Sequence, residues 1–244
     1  MVLSKFYSTF YLVSFAIVLQ TVNGVDPLHH VCSLSRYSSA TSGYELAQSN
    51  LEKLLASLSE STPPAGFSRY SIGTNSDQIH GLALCKGDVN ETDCKTCVEQ
   101  AGKEIPKLCP SKKSAVIWYD NCMLKYSNKD FFGHVDMKYR YRRCNWSWEL
   151  VIHSVAKQKL IHKLLKNVEK APNLYAIEDV KKGVTKRAGS FYGMAQCTRD
   201  LSVSKCKRCL RLLYSRYSIM CAQRDGGKIY TGSCFLRYES SPFK

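Results

Sequence analysis

Residues 85–97 read CKGDVNETDCKTC, and residues 197–209 read CTRDLSVSKCKRC. Both are Cys-x8-Cys-x2-Cys, and they begin 112 residues apart. The offset extends outward from them. Cysteines stand at 32, 85, 94, 97, 109 and 122, then at 144, 197, 206, 209, 221 and 234. Each member of the second set is its counterpart plus 112, so the chain is a tandem duplication. Flanking residues keep the register: Gly81-Leu82-Ala83-Leu84-Cys85 matches Gly193-Met194-Ala195-Gln196-Cys197, and Cys122-Met123-Leu124-Lys125-Tyr126 matches Cys234-Phe235-Leu236-Arg237-Tyr238. A first cysteine-rich domain is expected over 25–135 and a second over 136–244, joined near Gly133 to Asp136. The joint has no Pro- or Ser-rich run, which argues for packed rather than loosely strung halves.

Hydrophobic periodicity fills in each unit. Ala47, Leu51, Leu54, Leu55 and Leu58 recur at helical spacing, and Thr62-Pro63-Pro64 is expected to stop that helix. Ile161, Leu164, Leu165 and Val168 repeat the stripe before Pro172. A second helix is expected from about Thr92-Asp93 and from about Ser202-Val203-Ser204, where hydroxyl and carboxylate side chains can cap. β-rich runs close each unit, at Ala115 to Tyr119 with Met123 to Tyr126, and at Lys228 to Thr231 with Phe235 to Tyr238. Helices and antiparallel strands segregated in this way read as α+β.

The compartment follows from the N-terminus and the cysteines. Lys5 is the only charge before Asp26, and Phe6 to Leu19 is dominated by apolar residues. Residues 1–24 read as a cleaved signal peptide, too short in its apolar run to span a bilayer comfortably. No later apolar stretch is long enough to cross a membrane, and the closing Ser-Pro-Phe-Lys is no retention signal. A released, extracellular product without a transmembrane anchor is therefore expected. Twelve cysteines, an even number on the secretory route, argue for disulfides before metal. Six cysteines allow fifteen pairings per unit, and spacing alone does not choose among them.

The Cys-x8-Cys-x2-Cys motif, with further cysteines 12 and 25 residues on, resembles that of the plant cysteine-rich repeat secretory proteins. Their domain is shared with ginkbilobin-type antifungal seed proteins, ectodomains of cysteine-rich receptor-like kinases and plasmodesmata-located proteins. The resemblance covers essentially all of the mature chain. It implies two tandem domains, each a five-stranded antiparallel sheet with two helices and three disulfides. It also implies the pairing Cys32–Cys109, Cys85–Cys94 and Cys97–Cys122, then Cys144–Cys221, Cys197–Cys206 and Cys209–Cys234.

Ginkbilobin-type proteins carry a mannose-binding trio: Asn after the first cysteine, Arg seven past the fifth, Glu five past the sixth. The second repeat holds Asn145, Lys228 and Glu239 there, and the first holds Ser33, Val116 and Ser127. The resemblance thus implies a sugar site in the second domain only. Lysine for arginine loses bidentate contact. The alternative for Lys228 and Glu239 is a plain pair across neighbouring strands.

Catalytic signatures are missing. There is no Gly-x-Ser-x-Gly, no His-Glu-x-x-His and no phosphate-cradling glycine loop. None of the six histidines coincides with another at the 112 offset. Two Cys-x-x-Cys pairs could form a four-thiolate zinc site, but each belongs to its own six-cysteine set in an oxidising compartment. Neither catalytic residues nor a metal or cofactor is expected. Asn90-Glu91-Thr92 and Asn145-Trp146-Ser147 are glycosylation sequons.

Charge is asymmetric. Residues 25–135 carry 11 Lys or Arg against 12 Asp or Glu, whereas residues 136–244 carry 23 against 8. Lys159, Lys163, Lys166 and Lys170 fall opposite the apolar stripe of one helix. Lys205, Arg208 and Arg211 do so on the next, and Arg140, Arg142 and Arg143 precede Cys144. Such faces attract anions, and outside the cell anionic wall polysaccharides or microbial membranes are better candidates than nucleic acid. The expectation is a secreted, apoplastic, non-enzymatic binding protein for mannose-type glycans, acting in plant defence or antifungal activity. The alternative is a protein-interaction module docking on receptor ectodomains.

Overall fold

The computed structural model describes residues 26–38, 43–145, 154–183, 189–221, 224 and 226–243. Residues 1–24, the expected signal peptide, lie outside the described residues. The first unit contains β1 (His29–Cys32), α1 (Gly43–Ala65), β2 (Phe67–Ile72), β3 (Ile79–Cys85), α2 (Glu91–Leu108), β4 (Ser114–Trp118) and β5 (Cys122–Ser127). The second repeats the order with β6 (Arg140–Cys144), α3 (Ser154–Lys170), β7 (Tyr175–Lys181), β8 (Ser190–Cys197), α4 (Val203–Met220), β9 (Gly227–Thr231) and β10 (Cys234–Glu239). The two antiparallel sheets have orders β1-β4-β5-β3-β2 and β6-β9-β10-β8-β7, so the fold is α+β in two like domains.

Each sheet alternates its side chains between two faces, and each face has a separate job. The inner face of the first sheet, with Ala83, Ala115, Ile117 and Leu124, packs under Leu54 and Leu58 of α1 and Val98 and Ile105 of α2. In the second domain Ile229 and Leu236 meet Leu160, Leu164 and Val168 of α3 and Leu210 and Leu213 of α4. Gly81 and Gly193 are the repeated close approach. A Cβ on Gly81 would stand 2.7 Å from Leu54, and one on Gly193 2.8 Å from Leu164.

Six bridges staple these layers: Cys32–Cys109, Cys85–Cys94, Cys97–Cys122, Cys144–Cys221, Cys197–Cys206 and Cys209–Cys234. None crosses between domains. No described cysteine is free, and no described cluster of residues could hold a metal. Among the described residues no helix is long and apolar enough to cross a membrane.

Two local expectations are corrected. Pro63 and Pro64 lie inside α1, which runs on to Ala65. Each proline removes its own N–H bond to the carbonyl four residues back and crowds that carbonyl with its ring. Those residues, Ser59 and Glu60, line an open groove, and Gly66 at φ 69° makes the left-handed exit. The cap of α2 is Asn90, whose Oδ1 accepts the Asp93 N–H at 2.8 Å, and the helix begins at Glu91 rather than at Thr92-Asp93.

The outer faces of the two sheets stack on each other. Leu82, Leu84, Val116, Trp118 and Met123 from the first meet Met194, Tyr230 and Phe235 from the second. Two buried side-chain donors here find partners across the seam. The Trp118 indole donates to the Thr231 carbonyl at 3.1 Å, and the Gln196 amide donates to the Cys85 carbonyl at 3.1 Å. His29 stacks on both Trp118 and Tyr141.

The connection after β5 is bound into this seam. Lys125, 2% exposed in its side chain, meets Asp136 at 2.5 Å and lies 4.1 Å from the Phe131 ring centroid. Burial holds its ammonium below the usual lysine range, while Asp136 acts in the opposite direction. Removing one partner of such a pair strands the other. Asp136→Ala should therefore cost about 3–5 kcal/mol. Lys125→Met should cost less, because it removes the buried charge and keeps an apolar stem beside Phe131. Denaturant unfolding checks this order, and a reversed order contradicts it.

Candidate functional site

The registers of β6, β9 and β10 assemble one corner of the second sheet. Arg143 and Arg237 both stand opposite Lys228, on either side of it. One step inward, Tyr141 and Phe235 flank Tyr230 in the same way. One step outward, the Asn145 N–H donates to the Gly226 carbonyl at 2.9 Å and prolongs the ladder. A Cβ on Gly226 would fall 2.7 Å from the Asn145 amide nitrogen and 3.1 Å from the Cα of Glu239. Asn145, Lys228 and Glu239 therefore come to one corner, from three strands that the sequence separates by up to 94 positions (145 to 239).

Three cations abreast would repel one another, and two carboxylates interleave with them. Lys228 Nζ meets Asp120 Oδ1 at 2.8 Å, across the domain seam from the β4–β5 turn. Glu239 Oε1 accepts from the Arg237 guanidinium at 2.8 and 2.7 Å, from Nε and the terminal nitrogen. The expected alternative, a Lys228–Glu239 pair across strands, is not what forms; each has a different partner. Arg237 is covered on its far side by the Phe243 ring at 4.7 Å. Beneath the corner Tyr230 is buried, and burial first and Asp120 second push its phenol above the usual range.

A small cavity of about 20 Å3 lies beside the corner between Asp120, Tyr230 and Phe235, room for about one water and not for a sugar. A larger open groove of about 380 Å3 runs between α1 and α2, lined by Ser59, Glu60, Glu91, Lys95 and Glu99. It contains none of the expected site residues.

The matching positions of the first domain do structural work instead. Ser33 Oγ donates to the Ser35 carbonyl and accepts from the Ser114 N–H. Val116 is fully buried in the seam, and Ser127 Oγ caps the Lys129 N–H. Sequence reasoning missed Arg237, Asp120 and Phe243. Arg237 was within reach: period-two alternation puts it on the face of Lys228 and Glu239. Asp120 had no local signal, being 108 residues away in the other domain.

The two sequons sit differently. Asn90 is exposed, but its side chain is engaged as the α2 cap and also donates to Asp93 Oδ2 at 2.9 Å. Asn145 is exposed at the corner itself, while Trp146 and Ser147 of its sequon lie outside the described residues.

Comparison with known proteins gives concordant matches. The chain is 42% identical over 247 residues to an antimicrobial ginkbilobin-2-like protein of Castanea crenata, covering 100% of this chain and 99% of that relative. It is 36% identical over 219 residues to cysteine-rich repeat secretory protein 38 of Arabidopsis thaliana, covering 88% and 85%. The crystal structure of the tandem DUF26 ectodomain from the Arabidopsis thaliana cysteine-rich receptor-like protein PDLP8 superposes with a TM-score of 0.73. That match has 26% identity and covers 89% of this chain and 100% of that one. The family model described as salt stress response/antifungal matches residues 31–129 and 151–241. With two copies of one six-cysteine domain, three bridges in each and sheets stacked back to back, the chain belongs to the salt stress response/antifungal (DUF26) family as a tandem member.

Proposed function

We propose that this is a secreted, non-enzymatic binding protein of plant defence, with a weak mannose-type sugar site at the second-domain corner. Relatives named as secretory and antimicrobial proteins support secretion and the defence role. The observation that carries the sugar site is the convergence of Asn145, Lys228 and Glu239 on three adjacent strands. An amide, a cation and a carboxylate suit a hexose, because neighbouring hydroxyls both donate and accept. Arg237 places a planar guanidinium in the same row, the shape that Lys228 itself lacks. A sugar must compete with Asp120 for Lys228 and with Arg237 for Glu239, which keeps affinity low.

Calorimetry on the full chain with unglycosylated Asn145 tests this. Mannose should bind weakly, Glu239→Ala should abolish binding, and Ser127→Ala should leave it unchanged. No mannose heat, or equal heat after Glu239→Ala, overturns the sugar reading. A second reading, docking on receptor ectodomains of the same domain type, is favoured by the full-length match to a tandem ectodomain. Capture of such an ectodomain with silence on glycans would put it first.

A further inference from the structure

Part of the basic charge of the second domain lies along one surface formed by its helices. On α3, Lys159, Lys163, Lys166 and Lys170 are all exposed. Their spacing of i, i+4, i+7 and i+11 aligns them along one helix edge, over about 16 Å at 1.5 Å per residue. On the neighbouring α4, Lys207 is half-buried and Arg208 and Arg211 are exposed. Glu169 joins the two helices by meeting Lys207 at 2.8 Å. The Lys207 hydrogen bond and charge hold the Glu169 carboxyl below the usual range, with Arg211 and Lys170 adding to the effect.

Carboxylates on this surface are few. Glu169 is the only acidic residue in α3, and α4 has none. From the adjoining edge strand β7, Glu178 meets Lys163 at 2.6 Å, and Asp179 is exposed nearby. No ion pair among the described residues holds Lys159, Lys166, Lys170, Arg208 or Arg211 to a carboxylate. The apolar sides of both helices are spent in the core through Leu160, Leu164, Val168, Leu210 and Leu213.

We propose that this surface binds a linear extracellular polyanion of the polyuronate class, a polymer carrying one carboxylate per sugar. The charges form a row rather than a pocket, and lysines on flexible stems act as point charges. A row of that kind suits a ligand with repeated charge along its length, not a compact anion. A bilayer is the poorer fit. Surface-lying helices place aromatic or large aliphatic side chains beside their cations, and among the described side chains of α3 and α4 the exposed large apolar ones are Val155 and Val203, each at a helix start. The proposal uses none of the residues of the sugar corner, so either can fail alone.

The test uses the full secreted chain and immobilised polygalacturonate, with fully methyl-esterified polymer as the uncharged comparison. Binding should fall steeply as salt rises, because exposed charges are screened within about 8–10 Å at physiological ionic strength. Lys159→Gln, Lys163→Gln, Lys166→Gln and Lys170→Gln together should weaken binding about tenfold or more. Arg208→Gln with Arg211→Gln should weaken it by a smaller factor, and decides the matter if the first variant fails to fold. The control removes four exposed lysines of the first domain, Lys53→Gln, Lys95→Gln, Lys103→Gln and Lys107→Gln, and should change binding less than about twofold, at equal loss of net charge. Equal loss in the control overturns the proposal, as does equal retention on the esterified polymer. Stronger capture by phosphatidylserine vesicles or by single-stranded polynucleotide than by polygalacturonate overturns it too.

Discussion

Reduction of the native protein should unfold both domains without added denaturant. The bridges close loops whose ends lie 77, 9 and 25 positions apart in each domain. On chain-entropy grounds these are worth about 4.5, 2.6 and 3.5 kcal/mol, or roughly 10 kcal/mol per domain. That equals the whole net stability of an ordinary small domain, about 5–15 kcal/mol. Units of about 110 residues bury only a modest core, so little is left when the constraint goes. The largest single loss should follow from Cys32→Ser with Cys109→Ser, which opens the longest loop and frees edge strand β1 from the end of α2. Circular dichroism and calorimetry with and without reductant make the measurement. A reduced protein that keeps a cooperative transition within a few degrees of the oxidised one would show that the cores suffice.

Raising the pH should destabilise the oxidised protein steeply from about pH 10. Burial pushes the phenols of Tyr119, Tyr126, Tyr175 and Tyr230 well above the usual tyrosine range, with Glu104 reinforcing the first and Asp88 the third. A free phenol loses its proton near pH 10, so above that pH the unfolded chain binds fewer protons than the native one. Stability is full below about pH 10 and falls by up to about 1.4 kcal/mol per pH unit for each such tyrosine, less for the partly exposed Tyr175. Lys125 has the opposite sign, because its folded pKa lies below the free value. Its contribution grows as pH rises and is complete by about pH 10.4, leaving the four tyrosines unopposed beyond. Absorbance at about 295 nm, the phenolate band, should show a hidden fraction of the 15 tyrosines ionising only as ellipticity is lost. Full titration near pH 10 with ellipticity intact would contradict the burial of these rings.

Different parts of the molecule were legible to different degrees. The helix of Leu51, Leu54, Leu55 and Leu58 was plain, because one apolar stripe repeats every turn. Its end was misread at Pro63-Pro64, since a proline near a helix end costs single hydrogen bonds whose orphaned carbonyls lie on an open groove. The sequence around Thr92-Asp93 reads as the start of α2 because both residues can cap. The structure chooses Asn90, whose amide oxygen reaches the N–H three residues on. At the candidate site, the resemblance named Asn145, Lys228 and Glu239, and alternation along β10 would have added Arg237.

By itself the sequence determined the duplication, the two-domain α+β class and the separation of charge between the halves. All three are written in spacing and count, which survive in one dimension. Only the tertiary structure decided how the halves meet and what the polar groups do there. Lys228 is held by Asp120 from 108 positions away, Lys125 is buried against Asp136, and Trp118 donates to Thr231 across the seam. The physical reason is that alternation assigns a side chain to a face of its own sheet, whereas its partner is set by the docking of a second sheet. That docking is fixed by the complementary shape of two apolar surfaces, for which the chain carries no period.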